Sequence, residues 1–234
     1  MIVDYHTHSL ASDGALSPPE LLSRARASGV TKFAITDHDT TAGYLSVKDS
    51  DDAKAVGLIS GVELSCKWAT ASIHVVGLGF DPLAPEMQSM IKTLTAARRA
   101  RASKIAARLE KAGIAGAFEG ATALAGDSQI GRPHFAAWMV EVGAVATVTE
   151  AFDKYLGTGK PGDVKMFWPA LAEVVSGITA SGGIAVLAHP LKYRLTGMKL
   201  RALLNDFKAS GGQAIEILNG RQTDADSKRL LQLM

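Results

Sequence analysis

The sequence predicts an α/β fold organised on a parallel sheet or barrel. Short apolar runs alternate with helical segments over residues 1–83 and again from residue 169, the rhythm of strand–helix–strand units. Those runs are mostly apolar, as in strands covered on both faces. Five of the six histidines fall in or just after the runs, where side chains distant in sequence converge in such folds.

The first run, Ile2-Val3-Asp4-Tyr5, leads into His6 and His8. Residues two apart on an extended chain point to one side, so two imidazoles can face one point at the strand end. Asp13 follows in the next loop. Imidazole is a common ligand for Zn, Fe and Mn, and carboxylate accompanies it on the harder ions. Ser17-Pro18-Pro19-Glu20 reads as a helix start, with a Ser cap, Pro in the first turn and Glu three residues on; the helix runs to about 28 and stops at Gly29. A second strand over 32–36 ends in Asp37-His38-Asp39, and a helix is expected from about 41 to 56. Strands over 57–64 and 72–78 carry Glu63 and His74.

From 84 to 168 no buried strand is expected. Residues 87–111 read as one long helix, with shorter helices at 119–126, 132–142 and 147–156. This is read as an inserted helical subdomain, 84–168, leaving 1–83 and 169–234 as the main layer. A helix over 169–181 is ended by Gly182-Gly183, and the strand 184–188 runs into His189-Pro190. A helix at 198–209, a strand at 214–218 and a last helix from Asp224 to Met234 complete the chain.

Composition excludes several classes. The chain has 47% hydrophobic and 21% charged residues and a formal charge of +2, too small to argue for nucleic acid or a membrane surface. Its one cysteine, Cys66, permits no internal disulfide and points to the cytoplasm; it reads as a small core residue, not a nucleophile. No apolar run approaches bilayer length, and the N-terminus lacks a signal-peptide layout. Gly77 and Gly79 do not form a phosphate loop. What remains is a rim holding His6, His8, His38, His74 and His189 with Asp13, Asp37, Asp39 and Glu63, enough nitrogen and oxygen donors for more than one metal ion. The sixth histidine, His134, follows Gly131-Arg132-Pro133 at a helix start.

The segments HTHSLASDG, ITDHDT, GVELS, GRPHFA and VLAHP, with a strand histidine between, resemble the PHP (polymerase and histidinol phosphatase) family of metallophosphoesterases. Within it the chain resembles the branch of small bacterial nucleotide phosphoesterases with a helical insertion, over essentially its whole length. The resemblance implies a distorted (β/α)7 TIM-like barrel and a site for two or three divalent ions, Mn first, with Fe or Zn as alternatives. It assigns His6, His8, Asp13 and His38 as ligands, Glu63 as the bridging carboxylate, and His74 and His134 as histidines of a third metal. His189 falls at the rim, on the substrate side or behind the ligands. The family closes its site with a Ser-Asp-x-His-type motif on a late strand. No histidine follows His189 here, so the last barrel strands and those two ligands are expected to be absent from this chain through truncation.

Paired ions activate water and hold a phosphoryl oxygen. Asp37, counted with the catalytic set, and Asp39 are expected to orient ligands by hydrogen bonds, a turn role competing for Asp39. Arg132 is expected to grip a substrate phosphate, with an ordinary surface arginine as the competing reading. His189 can bind that phosphate or protonate a leaving oxygen. Arg98, Arg99, Arg101, Lys104 and Arg108 read as a solvated face beside the apolar stripe Met90, Ile91, Leu94, Ile105 and Leu109, though they could widen access to oligonucleotide ends. The expected activity is removal of the 3′-phosphate from nucleoside 3′,5′-bisphosphates by a metal-activated hydroxide. Its alternative is 5′-to-3′ hydrolysis of short RNA. A nucleotide or short oligonucleotide is the expected partner, with neither a membrane nor stable duplex binding. The absent motif leaves a catalytically silent metal-binding module as a third reading.

Overall fold

The structure is a computed structural model that describes residues 1–165, 168–220 and 222–233. β1 (Ile2–Thr7), β2 (Val30–Ile35) and β3 (Leu58–Ile59) form a parallel sheet in that order. The helices α1 (Pro18–Ala27), α2 (Ala42–Val47) and α3 (Asp51–Ala55) connect these strands. α1 begins as its sequence dictates: the Ser17 N–H and hydroxyl both donate to Glu20, and Gly29 ends it at φ 74°. The single helix expected over 41–56 is two helices. Ser50 accepts from the Ala53 N–H and opens α3, so a cap interrupts the run. Leu22, Phe33, Ile35, Val47 and Val56 fill the core between these helices and the sheet.

A second sheet has the order β4 (Gly61–Trp68), β5 (Ala71–Leu78), β6 (Ile184–Leu187), β7 (Ala214–Ile215). Here only β6 and β7 are parallel; β4–β5 and β5–β6 are antiparallel. This corrects the all-parallel expectation. Only Ala69 and Thr70 separate β4 from β5, and two residues close a hairpin but cannot make a crossover. The strand expected over 57–64 also divides, its first part pairing with β2 and its second founding the new sheet. Gly61 permits the step, because a Cβ there would sit 2.6 Å from the Ile35 carbonyl oxygen. The strand expected over 214–218 keeps ladder pairing at two residues, after which the Glu216 N–H still donates to Leu187 O at 3.0 Å.

The sheets join at the residues that matter for function. The Asp39 N–H donates to Glu63 O at 2.9 Å and the Glu63 N–H to Asp37 O at 3.2 Å, so His38 and Glu63 face each other across a parallel bridge. The far ends also approach, with His6 on β1 lying 3.1 Å from Glu216 just past β7. Among the described residues no ladder joins β1 to β7 and no closed barrel forms.

The intervening helices are α4 (Pro85–Lys111), α5 (Ala117–Ala125), α6 (Arg132–Glu141) and α7 (Val148–Ala151), the last running into a π-helical turn, Phe152–Leu156. α8 (Leu171–Ala180), α9 (Gly197–Ala209) and α10 (Asp224–Leu231) follow; the expected end of the last helix at Met234 lies outside the described residues. α4 serves two cores. Its Met87 and Leu94 pack with Val62, Leu64, Val75 and Ile178, whereas Ala102, Ile105 and Leu109 pack with Phe135, Met139 and Leu156. No described helix is long and apolar enough to cross a membrane.

Candidate metal centre

Side chains from β1, β2, β4, β5 and β6 meet at one rim. His6 on β1 and His8 just past it face the same way, and their Nε2 atoms lie 3.3 and 3.2 Å from Glu63 Oε2. His38, beyond β2, brings Nδ1 to 3.1 Å from the same oxygen. Glu63 Oε1 meets His74 Nδ1 from β5 at 3.0 Å and His189 Nε2 from the end of β6 at 2.8 Å. Five imidazoles thus surround one carboxylate that is 1% exposed. His189 is aimed there by a backbone turn at φ 28° and by its N–H, which donates to Glu216 Oε2 at 2.6 Å.

Burial works against the Glu63 charge, yet the imidazoles of His38 and His74 and hydrogen bonds from His189 and His6 hold its pKa well below the ordinary carboxylate value. Burial draws His38 and His189 down, toward the neutral form whose lone pair binds metals. His6 goes the other way. Burial opposes its charge, but Glu216 and Glu63 override it and raise its pKa to about 10.

The donor set fits divalent ions. His6, Glu63 and His189 form one group, and His8, His38 and Glu63 another, with the ligand atoms of each within 4.8 Å of one another. Both groups use Glu63, whose two oxygens can serve two ions. The buried Nδ1 atoms of His38 and His189 have no hydrogen-bond partner; that of His38 is near Glu63 but off the direction a hydrogen bond needs. Unpaired polar atoms are costly inside a protein, and a cation beside Glu63 would satisfy that of His38, whereas His189 turns Nε2 and not Nδ1 toward Glu63. Asp13 flanks the second group, 3.4 Å from His8 Nδ1 and 3.9 Å from His38 Nε2.

The remaining expected residues take different positions. Asp37 is buried and accepts from the Ser9 N–H, the Ser9 hydroxyl and the Ser12 hydroxyl at 2.7, 2.6 and 2.8 Å, which pins the loop between His8 and Asp13. Gly43 makes room for it, since a Cβ there would lie 2.1 Å from Asp37 Oδ2. His134 stands apart: its Nδ1 accepts from the Gly131 N–H at 3.1 Å and its Nε2 is 3.3 Å from the Ser128 hydroxyl. It joins neither ligand group among the described residues. Arg132 lies over the Phe152 ring, donates to Leu156 O at 3.1 Å and lines a cleft of about 170 Å³ beside the centre. His38, His74, Asp13, Arg98 and Arg101 line the same cleft.

Two features escaped the sequence. Glu216 contacts His6, the His189 N–H and the Asn219 amide; its signal was an acid inside the apolar run Ala214-Ile215-Glu216-Ile217-Leu218. The second is a correction. Arg98 and Arg101 are not on a solvated face: Arg98 is 8% exposed and ion-paired with Asp39, and both guanidiniums lie over Trp168. Burial, with Arg132 and Arg98 nearby, lowers the Arg101 pKa to about 10. The spacing held the clue, because Leu94, Arg98, Ala102, Ile105 and Leu109 follow one helical stripe. Cys66 is a core residue, as expected.

The chain is similar to known proteins over most of its length. The PHP-domain family profile matches residues 4–162. A 5′–3′ exoribonuclease of Haemophilus influenzae is 44% identical over 228 residues, covering 97% of this chain and 82% of that protein. A 3′,5′-nucleoside bisphosphate phosphatase of Chromobacterium violaceum is 41% identical over 219 residues, 93% of this chain and 77% of that one. Among solved structures, one described as a metal-dependent phosphoesterase from Bifidobacterium adolescentis superposes with a TM-score of 0.86 at 28% identity, over 99% of this chain and 82% of its own.

Proposed function

Since the chain belongs to the PHP-domain family, we propose that its substrates are nucleotide phosphate esters, and first the 3′-phosphate of nucleoside 3′,5′-bisphosphates. It is a metal-dependent phosphoric ester hydrolase. The observation that carries the substrate assignment is the Glu63 carboxylate, faced by five imidazoles and adjoining a cleft lined by three guanidiniums.

In this reading His6, His8, Asp13, His38, Glu63 and His189 hold two divalent ions, Mn before Fe or Zn, and His74 with His134 would serve a third. Bound there, such ions supply Lewis acidity at the phosphoryl oxygen and a more acidic water. The side chains do the rest. Glu63 stays ionised and ties both groups together, Asp37 fixes the His8–Asp13 loop, and Glu216 orients His6 and the His189 backbone. His189 directs Nε2 at Glu63, which favours a ligand role over protonation of the leaving oxygen. Arg132 and Arg101 are placed to take the second phosphate of the substrate, since guanidinium forks match phosphate oxygens. Hydrolysis forms a bond from water oxygen to phosphorus and breaks the bond to the 3′ oxygen, which gains the proton; the products are a 5′-mononucleotide and phosphate. In this reading residues 84–168 are the inserted helical subdomain that brings the arginines, and 1–83 with 169–234 form a distorted TIM-like barrel left open between β1 and β7. A nucleotide substrate supports a cytoplasmic location.

Hydrolysis of short RNA from the 5′ end is the second reading, because the same arginines could seat a 5′-phosphate and a close relative bears that activity in its name. The Mn²⁺-loaded chain should be offered adenosine 3′,5′-bisphosphate and a 5′-phosphorylated pentanucleotide RNA, with phosphate and mononucleotide release followed. Faster phosphate release supports the first reading, and stepwise mononucleotide release the second. A metal-loaded chain silent on both overturns both and returns the module without activity.

A further inference from the structure

Asp39, one residue past His38, is fully buried and held at φ 54°, a left-handed conformation that Asp tolerates better than most side chains. Its Oδ1 accepts from the Ser65 N–H at 2.6 Å, and its Oδ2 accepts from the Ser65 hydroxyl at 2.9 Å. Arg98, from the middle of α4, donates through Nε to the same Oδ2 and through Nη2 to the Ser65 hydroxyl at 3.3 Å. Ser65 lies two residues after Glu63 on β4, hence on the same face of the strand. One guanidinium therefore fastens the neighbour of His38 and the neighbour of Glu63 to the same helix. Its Nη1 lies on the side of Gly131, where the guanidinium borders the cleft that Arg101 and Arg132 also line.

We propose that Arg98 is a positioning residue that sets the spacing of His38 and Glu63 by clamping Asp39 and Ser65, and so makes metal affinity depend on the helical segment. This rests on the metal-centre reading above. A lysine cannot replace it, since one ammonium lacks the rigid fork that meets Asp39 and Ser65 together while bordering the cleft. The competing account is a structural ion pair whose only service is to neutralise a buried carboxylate.

The two accounts part on a double substitution. Arg98→Met alone leaves the Asp39 charge unpaired and should unfold the protein more readily. Asp39→Asn combined with Arg98→Met removes both charges, and Asn keeps the left-handed backbone and can still bond Ser65. Thermal midpoint, Mn²⁺ affinity by titration calorimetry, and kcat and KM on adenosine 3′,5′-bisphosphate should be measured for each. A positioning role predicts that the double variant recovers its midpoint while Mn²⁺ binds at least tenfold more weakly and kcat stays at least tenfold down. Wild-type affinity and kcat in the double variant would overturn it. Should that variant fail to fold, Arg98→Lys serves: tenfold weaker Mn²⁺ binding at a temperature where it is folded supports the clamp, and unchanged binding overturns it. If the unaltered chain binds no divalent ion, the metal reading itself fails. If it binds ions but hydrolyses no phosphate ester, only the substrate reading fails.

Discussion

The histidine centre and the arginine cleft adjoin, sharing His38, His74 and Asp13 as walls, yet they are built on opposite plans. The centre gathers its side chains from strands and converges them on a single buried carboxylate. The cleft takes Arg98 and Arg101 from α4 and Arg132 from the start of α6, each lying over an aromatic ring. A hub concentrates the consequence of one change, whereas Arg101 and Arg132, two like charges on one cleft, divide it. Mutations in the two regions should therefore differ in size and in kind.

The largest effect belongs to the hub. Glu63→Gln keeps the volume and removes the charge, and both ligand groups include Glu63. Metal content should fall to near zero, and kcat/KM should drop by about 10³-fold or more as charge stabilisation and activated water are lost together. Elemental analysis beside a phosphate-release assay checks this. A loaded, active Glu63→Gln protein would show that the centre has no hub.

Glu216→Gln probes the layer behind. Glu216 lies 3.1 Å from His6 Nδ1, receives the His189 N–H and helps hold the His6 pKa near 10. Losing its charge makes His6 less basic and frees its ring to turn. Metal affinity should fall by about 10- to 100-fold, the usual range for a partner behind a ligand. Affinity equal to the unaltered chain would mean that β1 alone fixes His6.

How far the sequence was legible follows the same division. His6 and His8 could be paired on paper because an extended chain alternates its side chains, and that period needs no tertiary information. Glu63, His38 and His189 announced themselves at the ends of apolar runs. The antiparallel β4–β5 pair was misread because apolar strands look alike in either direction; only the two-residue connection carried the answer. Arg98 was misread for a different reason. Composition puts arginine outside, and only its place on the Leu94–Leu109 stripe, together with a buried acid 59 residues away in sequence, reveals that it is inside. Residues whose direction is local were legible, and residues whose direction is set by a remote partner were not.

The cleft should respond in degrees. Arg101→Ala removes one of three guanidiniums and touches neither ligand group. KM for a bisphosphate should rise by about 10- to 100-fold, the worth of a hydrogen bond to a charged group, with metal content unchanged. A fall in metal content would erase the distinction between the two regions.

The smallest effect is expected within β4 itself, which divides its faces between the two tasks of holding the site and filling the core. Glu63 and Ser65 point to the site, whereas Val62, Leu64 and Cys66 are fully buried in the core with Ile73 and Val75. Burial, with the Asp39 charge adding to it, pushes the Cys66 thiol far above the range in which it could act as a thiolate. Cys66→Ser places a hydroxyl where apolar side chains meet, at a cost of about 1–3 kcal/mol. For a chain of this size that is a lowering of the thermal midpoint by roughly 2–12 °C, at about 2–4 °C per kcal/mol. Metal content, kcat and KM should not move at a temperature where the variant is folded. A loss of activity with no change in midpoint would place the thiol in the reaction, and the alternation that separates the two faces of β4 would no longer separate their functions.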